Sequence, residues 1–153
     1  GRSVANTMGY SPLDGLTMGT RSGGIDGNAV LRLAEVYGIA EAGQILNRES
    51  GLMGLGGSSD MRALQSAGTN AAQFAVAHFV YWVVRHAGSM IAAMGGLDAI
   101  AFTGGIGEND AALRAQILAD LDWIARDKPV WIIPAEEERQ IAAEALALIA
   151  AGR

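Results

Sequence analysis

The sequence predicts an α/β domain with a mainly parallel sheet flanked by helices. Two short apolar runs, 99–103 and 130–133, are each followed by a segment with apolar residues at helical spacing. Strand-to-helix units that repeat along a chain place their strands in parallel in one sheet. The 28 alanines and 21 glycines make up nearly a third of the 153 residues, and such small side chains allow close packing and unusual loop geometry.

Composition and charge exclude several classes of function. Sixteen acidic and eleven basic residues give a net charge of −5, which leaves little attraction for nucleic acid or anionic lipid. Because cysteine is absent, a disulfide framework and a thiolate metal site are excluded. The longest apolar run, 74–84, is too short for a membrane span of about 20 residues. The first residues lack a secretory signal, so we expect a cytoplasmic protein without nucleic-acid or membrane partners.

The first part of the chain predicts loops and helices. Residues 1–27 are dense in Gly, Ser, Thr and Asp, which is typical of an ordered loop. Helical spacing of apolar residues predicts helices over 28–37 and 41–48. Glycine is so frequent in 51–60 that this segment is predicted to be a loop. Residues 70–94 are apolar almost all round, which indicates a long helix packed on several sides or shared with a partner subunit.

The second part of the chain predicts the sheet. Residues 99–103 form a strand that ends at a glycine turn, and a helix follows over 110–121. Residues 130–133 form a second strand, which ends at a proline before a helix over 136–150. The charged segment 121–129 is predicted to be a weak join between the two units.

The glycine-rich segment 102–109 lies at the carboxyl end of the first strand, where open α/β sheets bind ligands. Its glycines allow close approach of the backbone to a nucleotide, and a tight structural turn is the alternative. The dinucleotide fingerprint is not met, because Asp110 stands where the third glycine belongs and Glu108 repels a phosphate placed directly on it. A Walker-type loop is excluded, because the only lysine is Lys128, beside Pro129.

Positive charge for an anionic ligand must therefore come from the ten arginines. Arg21 lies in a loop shaped by glycines, where it is either a surface residue or a contact for a transferring phosphoryl group. Asp60 and Arg62 follow the second glycine-rich segment, and taken alone they favour an exposed ion pair over a ligand contact. Glu136, Glu137 and Glu138 begin the last helix, where the dipole favours acidic residues. A carboxylate there is also able to hold magnesium through water.

Two histidines lie on the predicted long helix. His78 and His86 are eight residues apart, which corresponds to about 12 Å along the helix axis. This separation excludes a shared metal ion, so both are interpreted as core or interface residues.

Five ordered blocks of the sequence closely resemble the acetate kinases and their propionate kinase relatives. The blocks are NTMGYSPLDGL with MGTRSG in 6–23, LNRESGL in 46–52, GSSDMR in 57–62, FTGGIGEN in 102–109 and IPAEEE in 133–138. Together they span almost the whole chain, and their order matches that of the family.

The resemblance implies an actin-like, RNase H-like ATPase fold. It also implies a homodimeric enzyme that uses Mg²⁺ and transfers the γ-phosphoryl of ATP reversibly to a short carboxylate, giving acetyl phosphate and ADP from acetate. By resemblance, Arg21 stabilises the transferring phosphoryl group, and Glu137 matches the magnesium-associated glutamate. The residues that match nucleotide contacts are Asp60, Met61, Arg62, Gly105, Ile106, Gly107, Glu108 and Asn109. A carboxylate is already ionised at neutral pH, so the chemistry mainly requires that repulsion between anions be offset.

The resemblance covers the carboxyl-terminal part of the family. Family members carry an upstream Gly-Asn-Gly block and an amino-terminal domain with further catalytic residues. We therefore expect residues 1–153 to be the carboxyl-terminal nucleotide-binding and dimerisation domain, inactive in phosphoryl transfer by itself. The segment 122–129 is shorter than the family's connection, and Glu136 replaces the usual asparagine before the metal-linked glutamate. The alternatives are a propionate kinase with the same chemistry and a non-catalytic nucleotide-binding or oligomerisation module.

Overall fold

The computed structural model describes residues 2–152 and confirms an α/β architecture that is rich in helices. The elements in chain order are α1 (Gly27–Tyr37), α2 (Ile39–Arg48), α3 (Gly51–Gly56), α4 (Met61–Ala67), α5 (Asn70–Met94), β1 (Ile100–Phe102), α6 (Gly104–Asn109), α7 (Ala111–Asp120), α8 (Asp122–Ala125), β2 (Val130–Ile132) and α9 (Glu137–Ala150). The two strands pair in parallel, with Ile100 opposite Val130 and Phe102 opposite Ile132. The parallel pairing predicted from two strand-to-helix units is therefore confirmed.

Helix α5 is the centre of the hydrophobic core, and its bounds agree with the predicted long helix. The Thr69 hydroxyl accepts a hydrogen bond from the Ala72 amide at 3.2 Å and caps the first turn. Helices α3, α4 and α7 pack against α5. The buried side chains at these contacts include Leu52, Leu64, Ala72, Ala75, Phe79, Val80, Leu113 and Ile117. This packing fixes the positions of α4 and α7, which follow two glycine-rich segments of the sequence.

The loop prediction for 51–60 is wrong, because the first part of this segment is helix α3. The amides of Leu52 and Met53 donate to the carbonyls of Met18 and Gly19, each at 2.9 Å. The side chain of Leu52 is also buried in the core. Tertiary hydrogen bonds and burial therefore outweigh the low helix propensity of glycine.

The glycine turn after β1 is likewise a short helix, α6, which begins two residues after the strand. Side chains near the end of α6 support the backbone at its start. Glu108 accepts a hydrogen bond from the Gly104 amide at 2.8 Å, and Asn109 donates to the Gly105 carbonyl at 2.9 Å. Helices α4 and α8, which have only seven and four residues, were not predicted from the sequence.

The end of the described chain exposes several apolar side chains. They are Val130, Trp131 and Ile132 of β2, and Ile141, Leu146, Leu148 and Ile149 of α9. Helix α9 has no buried residue among those described. Within residues 2–152, no helix combines the length and apolar character that a membrane crossing requires.

The two histidines of α5 lie in different surroundings. His78 is partly buried, and its Nε2 is 2.9 Å from the Thr17 hydroxyl, so it joins the first loop to α5. Burial lowers the pKa of His78 below its usual value. The Nε2 atom of His86 is buried and has no hydrogen-bond partner within the described chain.

Lowering the pH below about 6.5 is expected to destabilise the fold through His78. Because the pKa of His78 is lower in the folded state, the unfolded chain binds more protons between the two pKa values. The free energy of unfolding therefore falls as the pH falls through this window. Urea unfolding at pH 7.5 and 5.5, followed by circular dichroism, measures the change.

The matched variant for this test is His78→Gln, which keeps a polar group near Thr17 but does not titrate. We expect a smaller difference between the two pH values in this variant than in the unmodified chain. The same pH dependence in both proteins would contradict the assignment to His78.

Candidate functional site

Two segments far apart in the sequence line one cavity of about 340 Å³. We call it the α4–α6 cavity. Its lining residues are Ser59, Asp60, Met61, Arg62, Gly105, Ile106, Asn109 and Asp110. The structure therefore brings together six of the eight residues that match nucleotide contacts by resemblance. Gly107 and Glu108 do not line this cavity.

Asp60 fixes the start of α4 at one wall of the cavity. Its Oδ1 accepts hydrogen bonds from the amides of Arg62 and Ala63 at 2.8 and 3.2 Å. These bonds, first that from Ala63 and then that from Arg62, hold the pKa of the Asp60 carboxyl below its usual value. The Nη2 of Arg62 lies 3.7 Å from Asp60 Oδ2, as the predicted ion pair requires. The Arg62 side chain remains 87% exposed, so its guanidinium is free to meet an anion.

Asp110 connects the two walls of the cavity. Its Oδ1 accepts from the Leu113 amide at 2.9 Å and caps α7, while its Oδ2 accepts from Gln65 Nε2 of α4 at 2.9 Å. This link between α4 and α7 was not predicted from the sequence. An aspartate before a helical pattern indicates the cap, but no local pattern indicates its contact with Gln65.

The carboxylate of Glu108 joins two strand ends. Its Oε1 accepts hydrogen bonds from the amide of Gly104, just after β1, at 2.8 Å and from the amide of Ala135, after β2, at 2.9 Å. Arg114 of α7 supports the same region, because its Nη1 donates to the carbonyls of Gly107 and Glu108, both at 2.9 Å. Glu108 and Arg114 therefore shape the backbone at the carboxyl end of the sheet.

Glu137 lies beside a second cavity, of about 480 Å³, which we call the acidic cavity. Its lining residues are Gly104, Gly105, Ala135, Glu136, Glu137, Glu138 and Arg139. Gly105 lines both cavities, so they are neighbours. The Glu136 carboxylate is engaged by Arg139 Nη1 at 2.7 Å. Glu137 and Glu138 are exposed in the first turn of α9.

The carboxylates of the acidic cavity fit a magnesium ion that takes its other ligands from phosphate and water. Among residues 2–152, no three side chains of Asp, Glu, His or Cys come together as a metal cage. Magnesium is usually held by one or two carboxylates together with substrate phosphates and water. Glu137 supplies one such carboxylate next to the α4–α6 cavity, so the residues present fit a magnesium ion shared with a nucleotide.

Arg21 lines neither of these two cavities. Its side chain is exposed, and its Nη1 is 3.4 Å from the Pro12 carbonyl. The Arg21 loop, residues 18–22, is held on the neighbouring helices by backbone bonds. The Ser50 amide donates to the Thr20 carbonyl at 3.0 Å, and the Ser22 amide donates to the Leu46 carbonyl at 3.0 Å. The loop is therefore well anchored, whereas the guanidinium group is open to solvent.

The fold is shared with solved acetate kinases. The structure of Porphyromonas gingivalis acetate kinase matches 94% of this chain with a TM-score of 0.84 and 30% sequence identity, and the match covers 43% of that chain. The fold is thus α/β and of the actin-like ATPase class, as the resemblance implies.

Sequence comparisons assign the family. The model of the Acetokinase family matches residues 1–142. An acetate kinase of Nitrobacter hamburgensis is 43% identical over 171 residues, and a propionate kinase of Edwardsiella piscicida is 41% identical over 177 residues; each match covers 97% of this chain. The chain belongs to the acetokinase family. It spans 42% and 44% of the lengths of these two relatives.

Proposed function

We propose that residues 1–153 form the carboxyl-terminal nucleotide-binding and dimerisation domain of an acetate kinase. The reaction is the reversible transfer of the γ-phosphoryl of ATP to acetate, which gives acetyl phosphate and ADP. The α4–α6 cavity carries this proposal, because two distant segments that match nucleotide contacts line one space. Membership of the acetokinase family supports the same reaction.

The α4–α6 cavity suits part of a nucleotide in size and chemistry. Its volume, about 340 Å³, lies in the range of small-molecule sites. Apart from its chain neighbours and the backbone of α6, no heavy atom lies within 4 Å of the position that a Cβ would occupy at Gly105, so a ligand has room to approach the backbone. The exposed guanidinium of Arg62 is a donor for charge-assisted hydrogen bonds to an anionic group.

We assign Mg²⁺ to Glu137 in the acidic cavity. The adjoining carboxylate of Glu136 is paired with Arg139, so Glu137 is the freer of the two. Mg²⁺, when bound, neutralises charge on the phosphates. The contact of Gly105 with both cavities supports a nucleotide whose phosphates extend toward Glu137.

We assign Arg21 to the transferring phosphoryl group. The acceptor carboxylate is ionised at neutral pH, so repulsion between anions dominates the barrier and a fixed cation lowers it. Arg21 lines neither cavity of this chain, and we assign its further contacts to other parts of a complete kinase. This assignment agrees with our expectation that the chain alone does not catalyse the reaction.

The acceptor, the assembly and the compartment are further parts of the proposal. Acetate is the proposed acceptor, and propionate is the alternative, since relatives of both names have similar identity to this chain. The exposed apolar side chains of β2 and α9 support contacts with the rest of a kinase and with a second copy in a homodimer. The absence of cysteine fits a cytoplasmic location.

Mg-ADP is expected to bind the chain saturably, and Arg62→Ala is expected to weaken this binding at least about tenfold. The reason is the loss of a charged hydrogen bond, which contributes about 1.5–3 kcal/mol. Isothermal titration calorimetry measures the affinity, and circular dichroism of the same samples reports folding. The matched control is Arg32→Ala, which removes an exposed arginine of α1 that is paired with Glu35.

Two results would count against this site. A folded chain that takes up no Mg-ADP would contradict the nucleotide-binding proposal. Equal affinities of the Arg62 and Arg32 variants would show that the nucleotide binds away from the α4–α6 cavity.

A further inference from the structure

Glu108 makes contacts unlike those of a residue that meets the nucleotide. One oxygen of its carboxylate accepts two backbone hydrogen bonds, from Gly104 at 2.8 Å and from Ala135 at 2.9 Å. The two donors lie in different strand-to-helix connections, 31 residues apart in the sequence. A carboxylate is a strong acceptor for backbone amides, because such bonds are charge-assisted. Glu108 therefore clamps the start of α6 to the segment that leads into α9.

The clamp holds the segment that leads into α9. All residues of α9 are exposed. Within the described chain, the hydrogen bond from Ala135 to Glu108 is the only hydrogen bond or ion pair that joins residues 134–152 to the remainder. Glu108 therefore contributes to the position of Glu137 relative to Gly105.

We propose that Glu108 is a positioning residue that couples the nucleotide cavity to the metal-binding end of α9. With both amides held, the α4–α6 cavity and the acidic cavity keep a fixed separation, so nucleotide in one favours Mg²⁺ in the other. Such a coupling is reciprocal: Mg²⁺ strengthens ADP binding by the same factor as ADP strengthens Mg²⁺ binding. The inference rests on the proposed function for its ligands, but the clamp itself is a property of the chain alone.

The clamp requires the reach of the side chain and an acceptor oxygen, and the negative charge strengthens its two hydrogen bonds. Glu108→Gln keeps the length and one carbonyl acceptor and loses the charge. Glu108→Asp keeps the charge, and its shorter side chain cannot span both amides. If Glu108 instead acted through its charge on Mg²⁺ or phosphate, the two variants would behave in the opposite way.

The experiment makes two measurements on each of five proteins. These are the unmodified chain, the Gln, Asp and Ala variants at position 108, and Glu35→Ala. The last is the control for the loss of an exposed glutamate. Amide hydrogen exchange by NMR without ligand follows the Gly104 and Ala135 amides. Calorimetric titration of ADP with Mg²⁺ or with EDTA gives the factor by which Mg²⁺ strengthens ADP binding.

We expect the Asp and Ala variants to exchange both amides at least about tenfold faster. In the same two variants, the factor by which Mg²⁺ strengthens ADP binding is expected to fall at least about fivefold. The Glu35 variant is expected to stay within about twofold of the unmodified chain in both measurements. The Gln variant, which keeps the reach but has weaker hydrogen bonds, is expected to lie between the unmodified chain and the Asp variant. If the Ala variant does not fold, the comparison of Gln with Asp decides between reach and charge.

Two results would overturn the proposal. Unchanged exchange of Ala135 in the Asp and Ala variants would show that the clamp does not hold this segment. If Mg²⁺ no longer strengthened ADP binding in the Gln variant but still did so in the Asp variant, Glu108 would act through its charge. A failure of ADP to bind the unmodified chain would instead reject the proposed function, and with it the coupling, while the exchange data would still decide whether the clamp exists.

Discussion

Replacing Arg21 by alanine is expected to lower phosphoryl transfer at least about a thousandfold and to change nucleotide affinity by less than about threefold. An arginine that contacts the transferring group stabilises charge that develops only in the transition state, so its loss reduces kcat. Arg21 lines neither the α4–α6 cavity nor the acidic cavity, which is why the affinity for ADP is expected to remain.

The measurement uses a chimera in which this chain replaces the matching part of the acetate kinase of Nitrobacter hamburgensis. Acetyl phosphate formation gives kcat, and titration with Mg-ADP gives the affinity. Arg21→Lys tests whether charge without the planar fork suffices, and Arg32→Ala is the matched surface control. An Arg21→Ala chimera with normal kcat would contradict the proposed role. A chimera that binds nucleotide and is inactive even with Arg21 would favour the non-catalytic module.

Much of the architecture could be predicted from local sequence patterns. Helix α5 was predicted with its observed bounds, because its apolar character is continuous and Thr69 and Gly95 mark its ends. The parallel pairing of β1 and β2 also follows from the order of strands and helices, which leaves few ways to connect them. In α5 the signal is repeated over many neighbouring residues, and in the sheet it comes from the order of the elements.

The glycine-rich helices could not be predicted in this way. In α3 and α6, glycine lowers the local helix propensity, and the compensating contacts come from elsewhere in the fold. Leu52 donates to the Met18 carbonyl across more than thirty residues of sequence, and no periodic pattern reports such a contact.

For the candidate site, too, the sequence predicts which residues take part but not how they are arranged. The resemblance named six of the eight residues that line the α4–α6 cavity, whereas their arrangement depends on contacts such as that between Gln65 and Asp110. The sequence presented Glu108 as one member of a glycine-rich motif. Only the three-dimensional structure shows that its carboxylate bridges two connections of the sheet.

Gly51→Ala is expected to have a large effect on the fold next to Arg21. Gly51 is buried with a φ of +64°, a conformation that disfavours residues with a Cβ. A Cβ at this position would overlap the Met18 carbonyl oxygen and lie 2.7 Å from the Arg21 carbonyl oxygen. Because both oxygens belong to the Arg21 loop, the substitution must displace the loop or the start of α3.

The matched control is Gly57→Ala at the end of α3, where φ is +82° and no heavy atom other than those of its chain neighbours lies within 4 Å of the added Cβ. Backbone strain alone is expected to lower the free energy of unfolding by about 1–2 kcal/mol at Gly57. In the Gly51→Ala variant, overpacking is expected to lower the free energy of unfolding by a further 1–3 kcal/mol, roughly. Urea unfolding measures both values, and amide exchange of Leu52 and Met53 reports whether the loop is displaced. Equal destabilisation by the two substitutions would contradict the close packing of the Arg21 loop on α3. A larger loss at Gly51, with faster exchange of these two amides, would support a role for this glycine in placing Arg21.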